Sequence, residues 1–330
     1  MLKGKVKDTG IEQNIKEAVA AIRRAKKIIV ACHINPDGDT LGCQLALGLS
    51  LLRLGKRVIL LSQDNVPNRF QFLQGSELIV SKTSETADLA IAVDCGSRAQ
   101  LGNIAPIFFK SKNTIQVDHH DFGEAFGKIQ VMEEEASAVG EIVYELIRAL
   151  KVEITPAIAT CLLTSIIVDT GAFRFSNIRP KTFDICSALI RTGVDLQHLI
   201  EESYWKKSRS MARLSGYCLM NSRFSDNGQI AWATAYQKDF RRFKAQLSDV
   251  DAVADDLRAI EGVKIAACFR ETDKKKFRVS LRSTYGINVA NVARLFGGGG
   301  HHNSAGCSIG NLESEKKNFS RNWKRLFRST

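Results

Sequence analysis

Residues 27–62 read "KIIVACHINPDGDTLGCQLALGLSLLRLGKRVILLS", and this stretch decides the fold class. "KIIVAC" (27–32) and "RVILLS" (57–62) are short apolar runs with almost no polar alternation. Runs of that kind suit parallel strands buried on both faces. Between them, "TLGCQLALGLSLLRLG" (40–55) has helical spacing and a glycine stop. Strand, helix and strand in that order make a crossover unit with a parallel pairing. The pattern continues outward. "DLAIAVD" (88–94) and "NTIQVD" (113–118) are further β-rich runs, and "SAVGEIVYELIRAL" (137–150) and "PAIATCLLTSIIVDTG" (156–171) read as helices. Ser137 is the expected cap of the first of these helices. The expected fold class is α/β: a mostly parallel-sheet domain, joined by a helical connector to a smaller α/β domain.

At 330 residues, with 44% hydrophobic and 25% charged residues, the composition is that of a globular protein of two ordinary domains. No stretch approaches the roughly 20 apolar residues that span a bilayer, so no membrane association is expected. "MLKGKVKDTG" (1–10) has no apolar core of a secretory signal. Eight scattered cysteines without a C-x-x-C pair argue against a zinc ribbon and fit reduced thiols, so the expected location is cytoplasmic. Charge is unevenly placed. Residues 1–190 carry 22 Lys+Arg against 21 Asp+Glu, whereas residues 191–330 carry 25 against 14. A half so basic suits a polyanionic partner.

The expected domains are 1–190, a helical connector at 191–222, and 223–330. In the last of these, "GQIAWATA", a helix around 247–260 and "VKIAACFRETDKKKFRVSLRS" make a second alternating unit. The 21-residue stretch reads as two strands joined by a charged turn at Lys274–Lys276. "NVANVARLF" then leads as a helix into "GGGGHHNSAGCSIG", and "RNWKRLFRST" closes the chain as a basic amphipathic helix.

Chemistry gathers where the apolar runs end. "KIIVAC" is followed by His33, Asp37 and Asp39, and "DLAIAVD" closes on Asp94. "NTIQVDHH" closes on Asp118, His119 and His120, and "LTSIIVDTGAF" carries Asp169. In open α/β sheets, ligand-binding residues collect at the carboxyl ends of strands. Five carboxylates converging there would raise one another's pKa values unless cations intervene. A mixed Asp/His set is neither the thiolate-rich site of structural zinc nor the all-oxygen cage of calcium, and it suits Mn²⁺, with Mg²⁺ or Co²⁺ able to substitute. The ligands are too many for one ion with an open position, so two ions roughly 3.5–4 Å apart are expected.

"HINPDGDTLG", "VDCG", "VDHH" and "VDTGAF", in that order, resemble the four motifs of the DHH phosphoesterase family, and "GGGGHHNSAG" resembles the glycine-rich motif of the DHH-associated C-terminal domain. The resemblance spans about 25–310 and points to the compact branch of oligoribonucleases (nanoRNases) and 3′-phosphoadenosine 5′-phosphate (pAp) phosphatases. It implies His33, Asp37 and Asp94 around one manganese ion, and Asp39, Asp94, His119 and Asp169 around the other, with Asp94 bridging. It places His120 beside the scissile phosphate and gives Asp118 the task of orienting the histidine pair. Substrate contacts are expected from Arg270, Arg282, Ser283, Gly298, Gly299, Gly300 and His301, because arginine pairs with phosphate through two parallel hydrogen bonds and glycines let backbone N–H groups approach. His302-Asn303-Ser304 depart from the smaller or more apolar residues usual there.

The implied partners are short single-stranded RNA, pAp or a dinucleotide, with a homodimer left open. The implied activity is hydrolysis of short oligoribonucleotides to mononucleotides and dephosphorylation of pAp. The alternative is a cyclic or linear dinucleotide phosphodiesterase, and behind it stands a non-enzymatic nucleotide-binding module.

Overall fold

A computed structural model describes residues 10–120, 124–225, 227–250, 252–273, 276–284 and 286–310; for His301 it describes the backbone only. Lys274, Lys275, the His301 side chain and the expected C-terminal helix lie outside these residues. The chain forms two compact units, Met1–Lys206 and Lys207–Thr330. The stretch 191–222 is divided between them.

The first unit runs α1 (Ile11–Arg24), β1 (Lys27–Ala31), α2 (Gly38–Arg53), β2 (Arg57–Leu61), β3 (Ile79–Val80), β4 (Leu89–Val93), α3 (Ala105–Phe108), β5 (Asn113–Asp118) and β6 (Ile129–Met132). It continues with α4 (Val139–Ala149), α5 (Pro156–Asp169), α6 (Pro180–Ile190) and α7 (Leu196–Ile200). Its sheet has the order β3-β2-β1-β4-β5-β6 with every pairing parallel. Such a sheet must be covered on both faces, and β1 shows how. Ile28 and Val30 join the apolar layer that contains α1, α2, α4 and α5, while Ile29 and Ala31 join a second layer with Leu101, Ile104 and Phe108. The crossover direction reverses between β1 and β4, so a crevice opens at their carboxyl ends.

Helix α2 is almost wholly buried and packs on α5. Gly42 permits this: a Cβ there would lie 2.4 Å from the Cys161 carbonyl oxygen of α5. Asp37 caps α2 by accepting the Thr40 N–H at 3.1 Å, and Thr155 caps α5 by accepting that of Ile158. Ser137 does not cap α4. The cap position is Ala138, and the Ser137 hydroxyl serves another contact described below.

The second unit contains α8 (Arg209–Met220), β7 (Arg223–Phe224), β8 (Ile230–Ala235), α9 (Gln237–Phe243), α10 (Val253–Arg258), β9 (Ile265–Asp273), β10 (Lys276–Ser283), α11 (Ala290–Leu295), β11 (Gly299–His301) and β12 (Ser304–Ile309). The sheet order is β11-β12-β10-β9-β8-β7. Only β8 and β9 pair in parallel, so this sheet is mixed. All eight cysteines are buried as thiols. Among the described residues no helix is long and apolar enough to cross a membrane.

Candidate metal centre

The residues that end the apolar runs meet at the crevice of the first unit. His33 follows β1, Asp94 follows β4, and Asp118 with His119 and His120 ends β5. Asp39 sits in the first turn of α2, and Asp169 closes α5. Asp94 leaves β4 with φ 54, a left-handed conformation that Asp tolerates better than most residues, while its N–H still bonds the Val117 carbonyl.

Three groups of possible ligand atoms each lie within 4.8 Å: His33–Asp37–Asp94, Asp39–His119–Asp169, and Asp94–His119–His120. Asp94 and His119 each belong to two groups, so the set forms one connected cluster rather than separate sites. His33 Nε2 is 3.5 Å from Asp94 Oδ2, and His119 Nε2 is 3.5 Å from Asp169 Oδ2. Both rings are held by the other nitrogen. His33 Nδ1 lies 2.7 Å from the Ile34 carbonyl and His119 Nδ1 lies 2.8 Å from the Ala136 carbonyl. A carbonyl only accepts, so each Nδ1 carries the proton and each Nε2 is turned to the cluster. This is the orientation a metal-binding histidine needs.

The electrostatics of the cluster also fit divalent ions. Burial, then the charge of Asp94, pushes Asp39 up to about 6 against the pull of His119. Burial raises Asp169 well above the usual carboxylate range, and Asp39 and Asp94 add to the rise despite His119. Burial works against charge on His33 and His119, yet the neighbouring carboxylates carry both up to about 9. Asp94 goes the other way: although burial disfavours its charge, the three surrounding histidines hold it well below the ordinary range. Carboxylates that repel one another in a buried crevice, beside imidazoles with inward Nε2 atoms, are a donor set suited to divalent cations.

His120 is placed differently. Its Nδ1 is 2.7 Å from Asp118 Oδ1 and 3.8 Å from Asp94 Oδ1. Burial opposes its charge, but the Asp118 hydrogen bond and the charge of Asp94 lift it to about 10. Asp118 is fully buried, and of the two rings it is the His120 ring that its Oδ1 holds.

The sequence reading missed several supporting groups. Thr40 Oγ1 sits between His33 Nε2 and Asp94 Oδ2, at 2.5 Å from each. The Ser165 hydroxyl on α5 donates to Asp39 Oδ1 at 2.6 Å, and the Val139 N–H that opens α4 donates to Asp39 Oδ2 at 3.0 Å. Thr40 had a signal, being the first-turn hydroxyl of "DGDT". Ser165 and Val139 are distant in sequence and had none.

The residues expected to grip substrate lie in the second unit. Arg270 is buried and donates to the Leu247 carbonyl at 2.7 Å. Arg282 is half-buried and pairs with Asp255 at 3.0 Å. The Ser283 hydroxyl donates to the Ile287 carbonyl and accepts from Asn303. All three therefore have partners within their own unit. Gly298 and Gly300 allow β11 to lie against β12, since a Cβ would fall 2.1 Å from the Gly306 oxygen and 2.5 Å from the Ser304 oxygen respectively. A Cβ at Gly299, between them, would meet nothing within 4 Å, and this residue is exposed where it pairs with Gly306 of β12.

Comparison with known proteins extends these observations. The model of the DHH family, N-terminal domain matches residues 27–166, and the DHHA1 domain model matches 230–328. A Thermus thermophilus protein named bifunctional oligoribonuclease and PAP phosphatase NrnA is 31% identical over 292 residues, covering 88% of this chain and 86% of that one. A Mycoplasma genitalium protein of the same name is 29% identical over 307 residues, covering 90% and 93%. Among solved structures, an exopolyphosphatase-related protein from Bacteroides fragilis superposes with a TM-score of 0.88 at 26% identity, covering 95% of this chain and 96% of that one.

Proposed function

This chain belongs to the DHH family, in the branch of the bifunctional oligoribonuclease and PAP phosphatase NrnA, and from that premise we propose that it hydrolyses short oligoribonucleotides to mononucleotides and removes a phosphate from pAp. The observation that carries the reading is the connected Asp/His cluster at the crevice, with His120 at its edge. The residues that would hold metal are His33, Asp37 and Asp94 for one ion, and Asp39, Asp94, His119 and Asp169 for the other. The ions proposed are Mn²⁺, with Mg²⁺ or Co²⁺ as substitutes. When bound, they supply Lewis acidity toward the phosphoryl oxygens and lower the pKa of water.

The protein's own groups do the rest. Asp118 keeps a proton on His120 Nδ1 and fixes the ring plane. His120 then stands ready to hydrogen-bond a phosphoryl oxygen or protonate the leaving oxygen, which removes charge as the ester bond breaks. Thr40 and Ser165 hold the Asp94 and Asp39 carboxylates so that they need not reorganise when substrate arrives. Arg270, Arg282, Ser283, Gly298, Gly299, Gly300 and His301 are assigned to the substrate side, with the Gly299 backbone and His301 as the phosphate contacts.

The test is a turnover panel with Mn²⁺ at one enzyme concentration, using pAp, a linear dinucleotide, cyclic di-AMP, a 5-mer RNA and a 24-mer RNA. Rapid loss of the 5-mer and pAp, abolished in Asp94→Ala and strongly reduced in His120→Ala, is the expected result. Turnover confined to the dinucleotides would replace it with the dinucleotide phosphodiesterase reading. Salt-dependent binding without any turnover would leave a nucleotide-binding module.

A further inference from the structure

The two ligand groups that share the crevice are held by different parts of the chain. Asp39, His119 and Asp169 come from α2, the end of β5 and α5, yet one short segment touches the supports of all three. In that segment, residues 136–139, the Ala136 carbonyl holds the His119 ring and the Val139 N–H holds Asp39. Ser137, between them and fully buried, donates through its hydroxyl to the Asn177 carbonyl at 2.6 Å. The Asn177 side-chain amide returns a bond to the Ser137 carbonyl at 2.8 Å and gives another to the Asp169 carbonyl at 3.2 Å. Ser137 and Asn177 thus form a reciprocal clasp that ties the backbone of Asp169 to the segment fixing the other two ligands.

The clasp closes a costly piece of backbone. Gly171, Ala172 and Phe173 have φ of 58, 56 and 62, three successive left-handed residues that begin two positions after Asp169. For a residue with a Cβ, each such conformation costs about 1–2 kcal/mol and persists only where its surroundings fix it. Asn177 lies at the far end of this turn.

His33, Asp37 and Asp94 rely on other anchors. Asp64, in the loop after β2, accepts the Asn35 N–H at 2.7 Å, and the Gln100 carbonyl accepts the Ile34 N–H at 2.8 Å. These contacts hold the loop that carries His33 and Asp37, and none involves residues 136–139 or 177. Asn35 itself has φ 53, so this loop also depends on an external hold.

We propose that Ser137 and Asn177 are positioning residues for the Asp39–His119–Asp169 ion and Asp64 is one for the His33–Asp37–Asp94 ion, so that the two metal affinities are set by separate parts of the chain. This rests on the reading that the cluster holds two ions. Removing a residue that orients metal ligands typically lowers affinity 10–100-fold.

The experiment is Mn²⁺ titration of metal-stripped full-length protein by calorimetry, with bound Mn²⁺ counted in parallel by electron paramagnetic resonance. The proteins compared are wild type, Asn177→Ala, Asp64→Ala and the double variant. Asn177 is exposed, so its replacement should leave the fold intact, as circular dichroism would verify. Asn177→Asp, which removes both amide donors at constant size, is the second test of the clasp. Each single variant should weaken one ion by about 10–100-fold and leave the other unchanged, and the double variant should weaken both. Unchanged titrations, equal weakening of both ions by one substitution, or a double variant that weakens only one ion would overturn the proposal. Wild-type protein binding a single ion would instead overturn the two-ion reading beneath it.

Discussion

Arg179 offers a test of how the loop after Asp169 is anchored. It precedes the first turn of α6 and reaches back to two acids of a different segment. Its guanidinium donates to Glu141 Oε2 through Nε at 3.0 Å and through Nη2, and lies 2.6 Å from Glu133 Oε1 through Nη1. Glu141 is fully buried in the first turns of α4, and its other oxygen accepts from the Thr182 hydroxyl at 2.5 Å. Arg179→Ala leaves that carboxylate inside the protein without its cation. Breaking a buried pair from one side costs roughly 3–5 kcal/mol, mostly as the penalty of the stranded charge. For a unit of about 200 residues, 1 kcal/mol shifts Tm by about 2–4 °C, so the fall should be about 6–20 °C. Thermal unfolding followed by circular dichroism, in protein without added metal, measures it directly. Arg179→Met with Glu141→Leu removes both charges and keeps apolar volume, so it should recover most of the loss. A single variant that melts within about 3 °C of wild type would refute the reasoning, because it would mean that Glu141 is solvated or neutral without its partner.

Three other outcomes are expected. Gly42→Ala places a methyl 2.4 Å from the Cys161 oxygen, so α2 and α5 must separate by about 1 Å to reach ordinary contact; overpacking of this kind costs about 1–3 kcal/mol. The variant should stay folded but show weaker Mn²⁺ binding in titration, since Asp39 and Asp169 ride on the two helices. Saturating stripped protein with Mn²⁺ at 100 times Kd should stabilise it by about 2.7 kcal/mol for each ion bound, read as a rise in Tm that chelator reverses. Asp88 accepts the N–H groups of Lys27 and Lys26 at the head of β1, which lowers its pKa, so its stabilising contribution is full above the ordinary carboxylate value of about 3.9 and is lost as pH falls through the lower folded value. Acid unfolding of Asp88→Asn should therefore be less steep than that of wild type below about pH 4.

The parallel sheet could be read from the sequence because its strands carry their own signature. β1, β2 and β4 are apolar on both faces, and only a sheet covered on both sides accepts such runs; β5 is apolar on one face and carries buried Thr114 and Gln116 on the other. β3 and β6 were missed. β3 is two residues long, and "IQVM" (129–132) is too short to distinguish from a loop. Ser137 had the right composition for a cap and lost that role to a contact 40 residues away, which no local pattern encodes. The same distinction separates the candidate metal cluster from its supports. Charged and imidazole side chains at the ends of apolar runs are conspicuous because burial there is costly, so Asp94, Asp169 and His119 stand out from their neighbours. The groups that hold them are serines, threonines, an asparagine and backbone N–H and C=O groups, which are common everywhere in a chain.

That difference also bears on the basic half of the molecule. Its excess of positive charge was visible in composition, but Arg270 and Arg282, the residues singled out as a phosphate clamp, each have partners inside their own unit. An arginine already paired with Asp255 has part of its charge offset there, which weakens its net contribution to binding a phosphate. Gly299 is exposed and carries no side chain, so a ligand can approach its backbone closely without displacing an anion. Substrate grip should accordingly depend more on the β11–β12 backbone than on the strand arginines. Gly298→Ala, which cannot keep β11 against β12, should raise KM more than Arg282→Ala, with Mn²⁺ affinity unchanged in both. The opposite order would place the phosphate on the guanidinium.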